Sequence, residues 1–187
     1  MLILASSLVY NQANAQVHSQ GGVVIDVFYG FPNLYSAIVR TALKDPIYTN
    51  TKVTTVGPFG VTAEYLLSDK VGFGAEFTYT STVAKYDYNG YSYKDEFNRI
   101  RILPRINIHF GDSDKADPYL TLGMGYGHTN FTETSNGGTS NLDVKSPINV
   151  SMRMAFGVRY FFTDHIGLMT EFGIGGPLMR GGVAFKF

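Results

Sequence analysis

The chain has no cysteine and no tryptophan, and only 16% of its 187 residues are charged, against about 25% in an ordinary soluble domain. Without cysteine, disulfides, zinc–thiolate sites and thiol nucleophiles are excluded. Fifteen basic and fifteen acidic residues cancel, so there is no broad cationic footprint for nucleic acid. Nowhere does an apolar run reach the roughly 20 residues that a membrane-spanning helix needs. What is abundant is glycine, at 21 residues, and aromatic rings, at 13 Tyr and 14 Phe. That combination is unusual for a water-soluble globule.

Met1 to Ala15 carry no charge. Leu2, Ile3, Leu4, Leu8 and Val9 form a short apolar stretch, and Ala13-Asn14-Ala15 follows. An apolar stretch ending in small-x-small is the pattern of a secretory signal peptide, here cleaved before Gln16. The departure is that no basic residue precedes it. The expected organisation is a signal peptide over 1–15 and one domain over 16–187.

From Gln16 onward the dominant period is two, the mark of strands. Val71, Phe73, Ala75, Phe77 and Tyr79 alternate with Gly72, Gly74, Glu76, Thr78 and Thr80. Ile100, Ile102, Pro104, Ile106 and Ile108 alternate with Arg99, Arg101, Arg105, Asn107 and His109. Eight such segments are expected, at about 22–33, 54–67, 71–86, 93–110, 118–132, 147–163, 166–174 and 178–187. Short turns at 67–70, 111–117 and 163–165 alternate with longer connections at 34–53, 87–92 and 133–146. Long loops on one rim and short turns on the other are what an up-and-down transmembrane barrel shows.

Alternation alone does not say which face is inside. A water-facing strand surface needs long polar side chains, but here the polar face is dominated by Gly60, Gly72, Gly74, Gly123, Gly125, Gly127, Ala155, Gly157, Gly173, Gly182 and Ala184. Small residues suit the interior of an eight-stranded barrel, which is just wide enough for its own side chains. The opposite face is almost free of charge, as lipid demands. By parity the long residues of the small face are Asp26, Glu64, Glu76 and Glu171, against Arg99, Arg101, Arg105, Arg153, Arg159, Arg180 and Lys186. Buried charges persist when paired and hydrogen-bonded, so a salt-bridge network is expected to fill the lumen. The alternative for the same residues is an ion path or a catalytic cluster.

The chain ends Arg180-Gly181-Gly182-Val183-Ala184-Phe185-Lys186-Phe187. Polar-x-Gly-x-x-aromatic-x-aromatic, with Arg180, Gly182, Phe185 and Phe187 in its positions, resembles the β-signal by which bacterial outer-membrane proteins are recognised for insertion. Together with Phe156-Gly157-Val158-Arg159-Tyr160-Phe161-Phe162 and Ile166 to Gly173, the ending resembles the small barrels of the OmpA/OmpX type. Gln16 directly after the cleavage position is similar to secreted proteins of Bacteroidota. The resemblance implies an outer-membrane location with periplasmic termini and extracellular long loops. It implies lipopolysaccharide as surrounding lipid and the barrel-assembly machinery as a partner during insertion. It does not imply one activity, since such barrels serve as anchors, adhesins, complex subunits and occasional enzymes.

Some small outer-membrane barrels modify lipid A, a reaction that needs a nucleophile and a base. His128-Thr129-Asn130 is the best hydrolase candidate, with Thr129 or a loop serine as nucleophile, but no Gly-x-Ser-x-Gly elbow is present. His18 and His165 sit in unpromising places, and His109 is expected to make a lumen hydrogen bond. Asp112, Asp114 and Asp117 are spaced like a calcium loop but lack its Gly and terminal Glu, which favours a solvated turn. Tyr79, Tyr86, Tyr88, Tyr91, Tyr93 and Tyr126 are expected in an outer aromatic girdle or loop packing. Tyr65, Phe110, Tyr119, Tyr160, Phe162, Phe185 and Phe187 are expected in an inner girdle.

The reading is an all-β, eight-stranded antiparallel up-and-down transmembrane barrel. It is expected to be closed, non-enzymatic, and structural or surface-binding in role, with no cofactor and no metal. The alternatives are an accessory subunit of a larger outer-membrane complex, a lipid A-modifying hydrolase, or a narrow pore.

Overall fold

The computed structural model describes residues 19–111, 113–137, 142–145 and 149–187. The expected signal peptide, His18, Asp112 and part of the 133–146 stretch lie outside the described residues. Alternating β-branched and aromatic side chains favour extended backbone, and the described chain is mostly strand. The elements are β1 (Val23–Phe31), α1 (Leu34–Ala42), β2 (Thr49–Ser68), β3 (Val71–Tyr88), β4 (Tyr91–His109), β5 (Ala116–Ser135), β6 (Leu142–Lys145), β7 (Val150–Phe161), β8 (Ile166–Ile174) and β9 (Met179–Lys186). Antiparallel pairing runs β1-β2-β3-β4-β5-β7-β8-β9, and β9 returns to β1. The result is a closed eight-stranded up-and-down barrel. The ninth strand, β6, stands outside the ring, laid against Asn130–Glu133 of β5.

Strand parity sorts the side chains as the period-two pattern requires. Phe73, Phe77, Ile102, Ile106, Leu122, Met154, Phe156, Leu168 and Phe172 point outward and are each 43% to 58% exposed. Asp26, Arg159, Glu171 and Arg180 point inward and are fully buried. A continuous apolar belt of this kind is untenable in water and suits hydrocarbon. Gly157 shows why the inner face is small-residue rich: a Cβ there would collide with the Tyr119 ring.

The strands are unequal. β2 to β5 are 18 to 20 residues long, while β1, β7, β8 and β9 are 8 to 12. Twenty residues rise roughly 65 Å, or nearly 50 Å along a barrel axis at a 40–45° tilt, against an apolar band of about 25 Å. Four adjacent strands therefore stand well above the membrane at the long-loop end.

Three connections differ from expectation. The 34–53 stretch is not an open loop, because it holds α1 and β2 begins at Thr49. The Asn33 side chain caps α1 by accepting from Ser36 N at 3.0 Å, and Tyr35 stacks on Phe97 of β4, ring centroids 3.8 Å apart. The 87–92 connection is a two-residue turn at Asn89-Gly90, with φ of 49° and 80°; Asn-Gly with both φ positive is the hairpin turn that matches strand twist. The 111–117 turn is shorter, since β5 starts at Ala116 and draws Asp117 into the barrel.

Candidate functional site: the charged lumen and its mouth

The inward face of every strand contributes to a column of polar groups. Near the short turns, Arg159 of β7 donates from Nε and Nη2 to the two oxygens of Asp26 on β1, at 3.0 and 2.9 Å. Its Nη2 also reaches Glu64 Oε2 on β2 at 2.7 Å, and its Nη1 reaches Asp117 Oδ2 on β5 at 3.1 Å. His109 of β4 sits between two of the same carboxylates, Nδ1 2.7 Å from Asp117 and Nε2 2.9 Å from Glu64. Both ring nitrogens can donate at once only in the imidazolium form. Thr62 Oγ1 donates to Asp26 at 2.6 Å, and the Tyr119 ring lies 4.4 Å from the Arg159 guanidinium carbon. Five strands meet through this one cluster.

A second layer lies nearer the long loops. Glu171 of β8 accepts from Arg153 Nε at 2.8 Å, from Arg180 Nε at 2.9 Å, and from Arg180 Nη2. Glu76 of β3 accepts from Arg180 Nη1 at 2.7 Å, from Arg105 Nη1 at 3.3 Å and from Thr78 Oγ1 at 3.0 Å. Asn107 Oδ1 accepts twice more from Arg105. Arg180 also packs over the Phe28 ring at 4.1 Å.

Not every basic residue of the inner face has a carboxylate. Arg101 donates to Ser151 Oγ at 2.7 Å and to the Met152 carbonyl at 3.2 Å. Arg99 makes no ion pair among the described residues, and its Nε is buried without a partner. Lys186 lies 5.2 Å from the Phe161 ring rather than beside an acid. Above Arg99 and Arg101, α1 overhangs the barrel and leaves a cavity of about 400 Å³ beneath it, bounded by Tyr35 and Phe97.

Beyond the membrane band, Asp95 and Tyr86 face the same interior side of the β3–β4 extension, with Tyr86 OH donating to Asp95 at 3.3 Å. Burial, then the neighbouring Glu133, hold the Asp95 carboxyl above the usual carboxylate range. Burial, then Asp95, raise the Tyr86 phenol.

Several sequence expectations need correction. Asp117 is not a solvated turn residue but a lumen acid, 1% exposed. Tyr119 is not in an inner girdle, since it is fully buried in the lumen. In both cases the odd-numbered parity of Thr121, Gly123 and Gly125 already runs through them, and the turn-like Gly-Asp-Ser-Asp-Lys run before them masked it. Tyr86 and Tyr93 share the inner face of the extension and stack at 5.4 Å, and Tyr48 packs on Tyr86 and Tyr88. They pack the loops and belong to no lipid girdle. His128 stacks on Tyr126, with Nδ1 unpartnered, and Thr129 projects from the opposite face of β5. Imidazole and hydroxyl are thus separated by the sheet, and no charge-relay geometry forms between them. Thr62 and Asp117 complete the inner charged layer beyond the residues expected to line the lumen. Strand parity was the signal available for them.

A family model described as outer membrane protein beta-barrel domain matches residues 2–176. No curated protein matches the chain. Among solved structures, the attachment invasion locus protein Ail of Yersinia pestis is similar over 90% of this chain and 99% of its own, at 13% identity and a TM-score of 0.52. The N-terminal β-barrel domain of OprF from Pseudomonas aeruginosa is 19% identical, covering 91% of this chain and all of that one, with a TM-score of 0.47. OprG from the same organism is 13% identical over 91% and 97%, with a TM-score of 0.45. The likeness to Ail is one of fold. The family match spans nearly the whole chain and agrees with the lipid-facing belt, and the chain belongs to the β-barrel family of bacterial outer-membrane proteins.

Proposed function

We propose that the protein is a closed, rigid, non-enzymatic barrel whose recognition work is done at the long-loop end. The observation that carries this is the pair of ion-paired layers, Arg159 with Asp26, Glu64 and Asp117, and Arg180, Arg153 and Arg105 with Glu171 and Glu76. Arginine forks hydrogen-bonded across a narrow lumen leave little room for a water column. Reconstitution in planar bilayers is expected to give no reproducible unitary conductance steps. Ion-selective steps abolished by Arg180→Gln would replace this reading with the pore.

In this reading residues 1–15 are an export signal. The termini and short turns face the periplasm, and α1, the β3–β4 tip and the 133–146 stretch face outward into the lipopolysaccharide layer. Arg180, Gly182, Phe185 and Phe187 serve as the insertion signal read by the assembly machinery. Deleting Phe187, which is 71% exposed at the end of the last strand, is expected to lower the amount of heat-modifiable barrel in outer membranes several-fold. Refolding of the purified variant into detergent should be unimpaired. Normal levels in the membrane would count against the signal.

A further inference from the structure

The lumen charge is not balanced layer by layer. From Arg105 out to Arg99, five guanidiniums (Arg99, Arg101, Arg105, Arg153 and Arg180) face two carboxylates among the described residues, Glu76 and Glu171. The surplus gathers at the long-loop mouth, where Arg99 and Arg101 line the cavity under α1 and none of its lining residues is acidic. Arg101 is 3% exposed and Arg153 equally so, so neither is neutralised by bulk water. Both guanidiniums pack against Gly176, where a Cβ would collide with them. Arg99 Nε and Arg153 Nη2 are buried donors with no partner. A buried, unpartnered charged donor is costly, and Arg99, which carries one and lines the open cavity beside Arg101, calls for an anion there. The capped N-terminal end of α1, with Asn33 and Tyr35 at the cavity wall, adds positive potential from the helix dipole.

We infer that this cavity binds an oxyanion group, phosphate or sulfate, carried on a sugar-sized body. Arg99 and Arg101 hold the anion, Thr80 and Ser151 stand beside it, and the stacked Tyr35–Phe97 pair forms an apolar wall for the body. The volume of about 400 Å³ lies in the range of small-molecule sites, roughly 300–1,000 Å³. Recognition is thereby assigned to the cavity beneath the loops and not to their tips, and it stands whether or not the lumen conducts.

The test is calorimetric titration of protein refolded in phosphate-free, lipopolysaccharide-free micelles. Glucose 1-phosphate, glucose, and the deacylated phosphorylated oligosaccharide of lipopolysaccharide serve as probes. Glucose 1-phosphate binding that weakens with salt, with glucose silent, supports the site and a free solute as its source. Binding of the oligosaccharide alone supports the site with the lipid headgroup as source. In either case Arg99→Gln is expected to weaken binding about tenfold or more, the worth of one charge-assisted hydrogen bond, and Arg99→Lys to weaken it less. Arg99 is only half-buried, so its variants should fold, which the heat-shifted gel band verifies. No binding of either anionic probe overturns the inference, as does binding equally strong in Arg99→Gln.

Discussion

Arg159→Met is expected to destabilise the barrel by about 3–5 kcal/mol, the usual cost of removing one partner from a buried ion pair. Asp26, Glu64 and Asp117 would be left facing one another without the guanidinium that bridges them, His109 still standing between Glu64 and Asp117. The measurement is the urea midpoint of unfolding in micelles, followed by the fast-migrating folded band on unheated gels. Lys186→Met provides the contrast, because a cation over one ring at the short-turn end of the barrel is worth about 1 kcal/mol. Combining Arg159→Met with Asp26→Leu and Glu64→Leu should recover part of the loss, since it removes the stranded charges rather than restoring any packing. An unchanged midpoint in Arg159→Met would remove the inner charged layer from any account of the barrel's rigidity. Equal losses for Arg159→Met and Lys186→Met would show that charge pairing is not what matters there.

On the other face, Ile106→Arg and Phe77→Arg are expected to hinder insertion, each at a cost of about 2–4 kcal/mol for a charge near the bilayer midplane. Both side chains are close to half exposed on the apolar belt, and both stand in the middle of the short-turn half of their strands. Thr78→Ala, one residue from Phe77, changes the lumen face instead. It removes one hydrogen bond to Glu76, worth about 0.5–1.5 kcal/mol, and should leave insertion intact. Folding yield into phosphatidylcholine vesicles separates the two classes. Three variants that insert equally well would invert or abolish the assignment of faces, and with it the claim that the charges lie inside.

The strands and their facing were legible because alternation is a property of consecutive residues. Val71 to Thr80 or Ile100 to His109 can be assigned without knowing what they touch. The identity of the inward charges was legible for the same reason. Their partners were not, since Arg159 finds Asp26 across 133 positions of sequence and parity says nothing about height in the barrel. That is why parity groups Arg99, Arg101 and Lys186 with a network in which they have no carboxylate partner among the described residues. Helix α1 was illegible for a different reason. Nine residues that include Tyr35, Ser36, Ile38, Val39 and Thr41 make a poor isolated helix, and it is held by the Asn33 cap and the Tyr35–Phe97 stack, a contact between segments far apart in the chain.

The unequal strand lengths carry a further consequence. A ring of eight strands has no edge, but above Phe59 the ring is open, because β1 pairs with β2 only from Phe59 to Tyr65. What continues upward is a four-stranded sheet with two margins, and a bare margin is a template on which another chain can add a strand. One margin, on β2, has α1 beside it, with Arg40 Nη2 donating to the Val53 carbonyl at 3.1 Å; its register slips twice, between Thr49 and Lys52 and between Val56 and Phe59. The other, on β5, is taken up by β6. The two short elements that interrupt an otherwise plain up-and-down chain thus stand where this protein would otherwise be open to side-by-side self-association on a crowded membrane.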